Sequence, residues 1–216
     1  MKVSEKEILH YLGYHNGNAD EHIISSIKEL IPTLIAYATP KYIYGKWNIN
    51  ELTSSTVKLE GITINSKGLS RHLQGCEQIV IIGATLGSKI DNFIRKFNIS
   101  NMQKAVIADT ICNSMIEAYC DEIQDNIIKD VNLYPASRYS PGYDDFDLKY
   151  QQDILDLLNS SKRIGLSTAS NSYMLTPMKS ITAIIGLSKN KIECVKDKCK
   201  NCSKFDCNFR RKTDDF

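Results

Sequence analysis

Apolar positions along this chain fall into two spacings, one belonging to helices and one to strands. Ser4-Glu5-Lys6-Glu7 precedes Ile8, Leu9 and Leu12, a capping-box pattern followed by helical spacing, so a short helix is expected there. The polar stretch YHNGNAD interrupts it. Asp20 then suits the cap of a second helix with Ile23, Ile24, Ile27, Leu30, Ile31 and Leu34 on one face, bent near Pro32. β-Branched and aromatic residues in partial alternation mark KYIYGKW and VKLEGITI as strands. Ser66 opens a short helix ending near Gly75, and EQIVIIGAT is a continuous apolar run of the kind found in fully buried strands. Helices are expected over residues 86–97 and 101–129, and RIGLS and SITAIIGLS read as two more strands, separated by TASNSYMLTPMK. The order predicts an α+β domain over residues 1–190: a twisted mixed or antiparallel sheet flanked by helices, one of them long. A Cys-rich tail over residues 191–216 follows.

Composition narrows the classes. The chain has 216 residues, enough to bury a substantial core, and a net charge of +2, far from the field of a non-specific nucleic-acid binder. Its apolar runs fall short of the roughly 20 residues of a membrane span. MKVSEKEIL lacks the apolar region of a signal peptide, so a soluble cytoplasmic protein is expected. Of the seven cysteines, Cys76, Cys112 and Cys120 stand among apolar residues and read as buried reduced thiols. The histidines, His10, His15, His22 and His72, have no metal-ligand spacing.

Four stretches carry candidate chemistry. IIGATLGSKID places Gly83 and Gly87 where a strand meets a helix, a position that can receive an anion; without a full dinucleotide fingerprint or P-loop ending, turn geometry and packing are preferred. Asp109, Asn113 and Glu117 form an i, i+4, i+8 stripe on the long helix, able to receive a cation or simply to face solvent. Cys194, Cys199, Cys202 and Cys207 are spaced C-x4-C-x2-C-x4-C, which can wrap a zinc ion or hold an iron–sulfur cluster. The tail matches neither the bacterial ferredoxin run nor the paired knuckles of a zinc ribbon, and the alternative is reduced cysteines. Its lysines and arginines would offset a tetrathiolate's charge; with only Phe205 and Phe209 for stacking, nucleic acid is disfavoured.

The fourth stretch is SRYSPGYDDFD, Ser137 to Asp147. Pro141 and Gly142 set a turn, Arg138 offers a planar fork for a carboxylate, and Tyr143 a ring face and a hydroxyl. These suit a small zwitterion with an aromatic base, or else an ordered structural turn. Asp144, Asp145 and Asp147 read as the cap and first turn of the helix in LKYQQDILDLL.

Arg138-Tyr-Ser-Pro-Gly142-Tyr143 resembles the Arg-x-x-x-Gly-Tyr motif of the activation domain of cobalamin-dependent methionine synthase. The flanking order, IIGATLG, AVIADTICNSMIEAYCDEI, the loop and SYMLTPMKSITAIIGLS, is similar too, so that the likeness spans residues 75–190; ILHYLGY resembles the start of free-standing bacterial versions. The resemblance implies S-adenosylmethionine binding beside a corrinoid on a partner chain, while a flavodoxin or ferredoxin supplies an electron and methyl transfer pulls the reduction forward. It implies a separate activation subunit serving a methionine synthase that lacks this domain. By the same resemblance Arg138 partners the ligand carboxylate, Ser140 and Gly142 give backbone contacts, Tyr143 packs on the ligand, and Glu117 is a ligand-side acid. The family's tyrosine near the end of the last strand has no counterpart in AIIGLSKN, and its fused form lacks the cysteine tail. Two other classes compete: a self-sufficient S-adenosylmethionine methyltransferase, which would be expected to show a Gly-rich first-strand motif, and a metal or iron–sulfur module serving another corrinoid protein.

Overall fold

A computed structural model describes residues 3–14, 19–129, 131–170 and 172–191. Helix α1 (Glu5–Tyr11) is capped by Ser4, which accepts from the Glu7 amide, and α2 (Glu21–Tyr37) by Asp20, which accepts from His22. Pro32 lies inside α2 without ending it. The chain continues through β1 (Lys41–Asn48), β2 (Glu51–Leu52), β3 (Thr56–Leu59), β4 (Ile62–Asn65), α3 (Lys67–His72), β5 (Gln78–Thr85), α4 (Ser88–Ser100) and α5 (Met102–Lys129). After β6 (Tyr134–Pro135) come α6 (Tyr150–Leu158), α7 (Ser160–Ile164), β7 (Ser167–Thr168), β8 (Leu175–Thr176) and β9 (Ser180–Ser188).

The main sheet has the order β1-β5-β9-β6, and every pairing in it is antiparallel. The unbroken apolar run of β5 follows from its central place, because both faces of the sheet are covered. Val80, Ile82 and Ala84 pack with α1, α2, α4 and α5 through Ile8, Leu34, Ile90 and Met115. Ile79 and Ile81 pack on the opposite side with α3, α6, the β3–β4 hairpin and the loop before α6 through Leu69, Ile154, Ile64 and Phe146. Such double coverage is unusual for antiparallel strands, which commonly leave one face to water. Cys112 and Cys120 lie on the α5 side, where burial pushes both thiols up to about 12, so they stay protonated core residues.

Three local expectations are corrected. VKLEGITI is two strands, since Gly61 at φ +87° turns the chain between β3 and β4. In RIGLS, Arg163 and Ile164 close α7, Gly165 adopts a left-handed conformation at φ +72°, and only Ser167–Thr168 pairs as strand. Of the loop acids only Asp147 serves the following helix: its Oδ1 accepts from the Lys149 amide at 2.9 Å just before α6 begins at Tyr150, whereas Asp144 and Asp145 turn to α3. Gly83 and Gly87 belong to the fold. A Cβ at Gly83 would only come into van der Waals contact with Leu158 and Leu166, whereas Gly87, which caps α4 at φ +87°, lies so close to Thr39 that a Cβ would clash. Asp91 in the first turn of α4 accepts from the Met178 amide at 2.8 Å, tying that helix to the segment before β9.

Candidate ligand site beside the long helix

The loop from β6 to α6 is held at both ends. At its start Ala136 donates to Gly186, and Tyr139 and Ile184 exchange backbone hydrogen bonds at 2.9 and 2.8 Å, fixing the backbone around Arg138 on the edge of β9. His72 Nε2 lies 2.7 Å from the Ser137 carbonyl oxygen, a contact that requires a proton on that nitrogen. Gly142, at φ +93°, lets the chain reverse; its amide is donated back to Phe146 at 2.6 Å. Phe146 is 1% exposed and anchors the turn in the core beneath the sheet.

Asp145 closes the other end, and it caps a helix distant in sequence. Its carboxylate accepts from Ser66 Oγ at 2.6 Å, from the Lys67 amide at 2.7 Å and from the Gly68 amide at 2.9 Å, at the start of α3. These three donors hold the Asp145 carboxyl down at about 2, with Ser66 the largest cause. Asp144 meanwhile pairs with Arg71 at 3.3 Å. A carboxyl with a depressed pKa stabilises the fold fully above its unfolded value of about 4 and loses that contribution as pH falls through its folded value. Loop seating is therefore expected to weaken between about pH 4 and pH 2, and Asp145→Asn to mimic the acid form at neutral pH. Following the Asp145 carboxyl and the Lys67 and Gly68 amides by NMR through an acid titration checks both.

On the solvent side of this bracket, Arg138 faces α5. Its Nη1 lies 2.7 Å from Asp121 Oδ1 and donates to Gln124 at 3.4 Å, while Nη2 donates to Glu117 Oε2 at 3.0 Å. Burial disfavours the guanidinium's charge, but the hydrogen bond and charge of Asp121, with Glu117, outweigh it and raise its pKa above the ordinary arginine value. Glu117, Asp121, Gln124, Arg138, Ser140 and Tyr143 line a cavity of about 230 Å³. An adjoining cavity of about 450 Å³ shares Glu117 and Ile181 with it and runs on past Asn113, Lys179 and Tyr11. Burial raises the pKa of the Tyr143 hydroxyl, with the nearby Glu117 charge adding to it.

The α5 stripe thus faces the protein's own cations. Lys179, its side chain 10% exposed, places Nζ 2.6 Å from Asp109 and donates to Asn113 Oδ1 at 2.7 Å. Arg138 takes the next turn of the same stripe. The combination of a guanidinium fork, two carboxylates and an aromatic ring around a solvent-connected cleft suits a small ligand carrying both signs of charge.

No protein-family model matches the sequence, and no curated protein matches it. Among solved structures, the crystal structure of the MetH reactivation domain bound to AdoHcy matches with a TM-score of 0.62 at 13% identity, covering 80% of this chain and 66% of that one. The chain has the reactivation-domain fold. It spans just under two thirds of the chain it matches.

Within this reactivation-domain fold, four of the residues named from the sequence, Glu117, Arg138, Ser140 and Tyr143, meet on one cavity, while Gly142 shapes the turn behind them. Asp121, Gln124 and Lys179 went unnamed. Asp121 continues the i, i+4 series Asp109, Asn113, Glu117 by one more step, so periodicity carried a signal for it. Lys179 carried none, because its approach to α5 depends on how β9 enters the sheet. Cys194, Cys199, Cys202 and Cys207 lie outside the described residues. Among the described residues no cluster of His, Cys, Asp or Glu is placed to hold a metal ion, and no helix is long and apolar enough to cross a membrane.

Proposed function

We propose that this chain binds S-adenosylmethionine in the cleft between α5 and the Ser137–Asp147 loop. It would act as a separate reactivation subunit for a cobalamin-dependent methionine synthase, supporting reductive methylation of cob(II)alamin to methylcobalamin on that partner chain. The observation that carries this reading is the meeting of Arg138, Ser140 and Tyr143 with Glu117 around one cleft, in a fold shared with a domain crystallised with AdoHcy.

The partner's corrinoid supplies the metal centre that accepts the methyl group. This chain supplies position. Arg138 takes the ligand carboxylate; backbone bonds to β9 on either side fix where its side chain starts, and Glu117 and Gln124 orient the fork. Tyr143, half exposed, offers its ring to the ligand at the mouth of the cleft. The electron comes from a flavodoxin or ferredoxin-type donor, and the methyl group leaves the sulfonium so that S-adenosylhomocysteine is released. In this reading residues 1–190 form the ligand domain, and the tail cysteines hold zinc or an iron–sulfur cluster. The protein would work in the cytoplasm, without nucleic acid or membrane.

Two measurements test the proposal. Calorimetric titration of the full chain with S-adenosylmethionine is expected to show one site. Adding the ligand to the chain, a cob(II)alamin-loaded methionine synthase lacking its own activation domain, and a chemical reductant is expected to produce the methylcobalamin spectrum. Binding without methylcobalamin formation would direct attention to another corrinoid client, and methylation of an acceptor without any corrinoid protein would favour a self-sufficient methyltransferase. No binding, with or without the corrinoid partner, would end the S-adenosylmethionine reading.

A further inference from the structure

The charges around the smaller cavity are the inverse of those on the methionyl end of S-adenosylmethionine. That end carries one negative group, the carboxylate, and two positive ones, the α-ammonium and the sulfonium. The cavity carries one cation, Arg138, and two anions, Glu117 and Asp121, both within 3.0 Å of it. Glu117 and Asp121 are four residues apart on α5, so they stand on successive turns of one face, about 5–6 Å apart at Cβ. Three carbons separate the ligand's nitrogen from its sulfur, which puts the two positive centres about 4–5 Å apart by ordinary bond geometry.

We infer that Asp121 is the acceptor for the ligand's α-ammonium, with Arg138 on the carboxylate and Glu117 beside the sulfonium. The inference rests on the S-adenosylmethionine reading above and adds to it a residue and a basis for selectivity. The Arg138 side chain is 18% exposed and held from several sides, whereas that of Asp121 is 68% exposed. Asp121 is the solvent-facing partner of the pair, with open space in which to turn to another rotamer while the guanidinium stays in place. A zwitterionic head can then enter between them, carboxylate toward Arg138 and ammonium toward Asp121, so that each charge exchanges one opposite partner for another. Gln124, one turn further along, already accepts from the same fork through Oε1 and keeps Arg138 partnered during the exchange. The arrangement makes the site selective for an α-amino acid head. It also favours the charged sulfonium over the neutral thioether left after methyl transfer, because Glu117 then loses the second of its two cations and keeps only Arg138.

Three probes separate the parts: S-adenosylmethionine, S-adenosylhomocysteine, and 5′-methylthioadenosine, which lacks the amino acid head. Asp121→Asn keeps the shape and a hydrogen-bond acceptor but removes the charge. It is expected to weaken S-adenosylmethionine and S-adenosylhomocysteine about tenfold, and to leave 5′-methylthioadenosine within about twofold. Glu117→Gln is expected to weaken S-adenosylmethionine by about three- to tenfold while changing S-adenosylhomocysteine little. Asp121→Glu, which restores the carboxylate, should recover most of the loss. If Asp121→Asn binds S-adenosylmethionine as well as the parent or better, Asp121 is only a counterion of Arg138 and the inference is overturned, while the site itself stands. If the parent chain binds none of the three probes, the ligand reading fails first. Unchanged circular dichroism and thermal unfolding of each variant confirm that the readout is of the site.

Discussion

Arg138→Ala is expected to lower the affinity for S-adenosylmethionine about 100-fold. Two losses combine. The ligand carboxylate loses a planar charged donor, and Glu117 and Asp121 become neighbouring like charges without the cation that now lies at 3.0 and 2.7 Å. Arg138→Lys keeps a charge but not the fork, and an intermediate loss of about tenfold is expected. Stability should hardly move, because both acids are substantially exposed and ion pairs of that kind contribute about 0–1 kcal/mol. Isothermal titration beside thermal unfolding reads the two effects separately. A large fall in melting temperature with unaltered affinity per folded molecule would contradict the assigned role.

The second large effect lies in the core. Phe146→Ala is expected to destabilise the protein by about 3–5 kcal/mol, which for a chain of this size lowers the melting midpoint by about 6–20 °C. Phe146 is 1% exposed and packs in the cluster that includes Leu69, Ile81 and Ile154, with Tyr139 stacked near it at 6.3 Å. Its carbonyl receives the Gly142 amide, so the cavity left by truncation sits directly beneath the turn. Ligand affinity should therefore fall together with stability, by contrast with Arg138→Ala. Phe146→Leu, which keeps part of the volume, is expected to recover about half of the loss. A calorimetric unfolding series on the three proteins, with titrations at a temperature where all are folded, checks the pairing of the two losses.

How far these features could be seen in advance depends on the range of the interaction. Local rules were sufficient for the caps at Ser4, Asp20 and Ser66, the long helix, and the double burial of β5, since each is written within one continuous run of residues. The loop motif around Arg138 was legible from residue type and from the resemblance it carries. What could not be read was long-range pairing. Asp145 looks like a cap for the next helix because its neighbours in sequence are helical, yet its three donors belong to Ser66, Lys67 and Gly68. Lys179 looks like a surface lysine until β9 enters the sheet and delivers it to Asp109. RIGLS failed for a different reason: a short apolar run beside a glycine is equally compatible with a helix end and a strand, and the left-handed Gly165 decided it. The stripe on α5 was visible in its spacing, but whether it met solvent or the protein's own cations was a matter of tertiary packing.

The cap that Asp145 places on α3 gives the loop a remote witness. The Lys67 and Gly68 amides are occupied only while the loop is seated, so their exchange with solvent deuterium proceeds through the same opening event that frees the segment carrying Arg138. Exchange rates at two positions some seventy residues earlier in the chain thus count how often the ligand loop lets go.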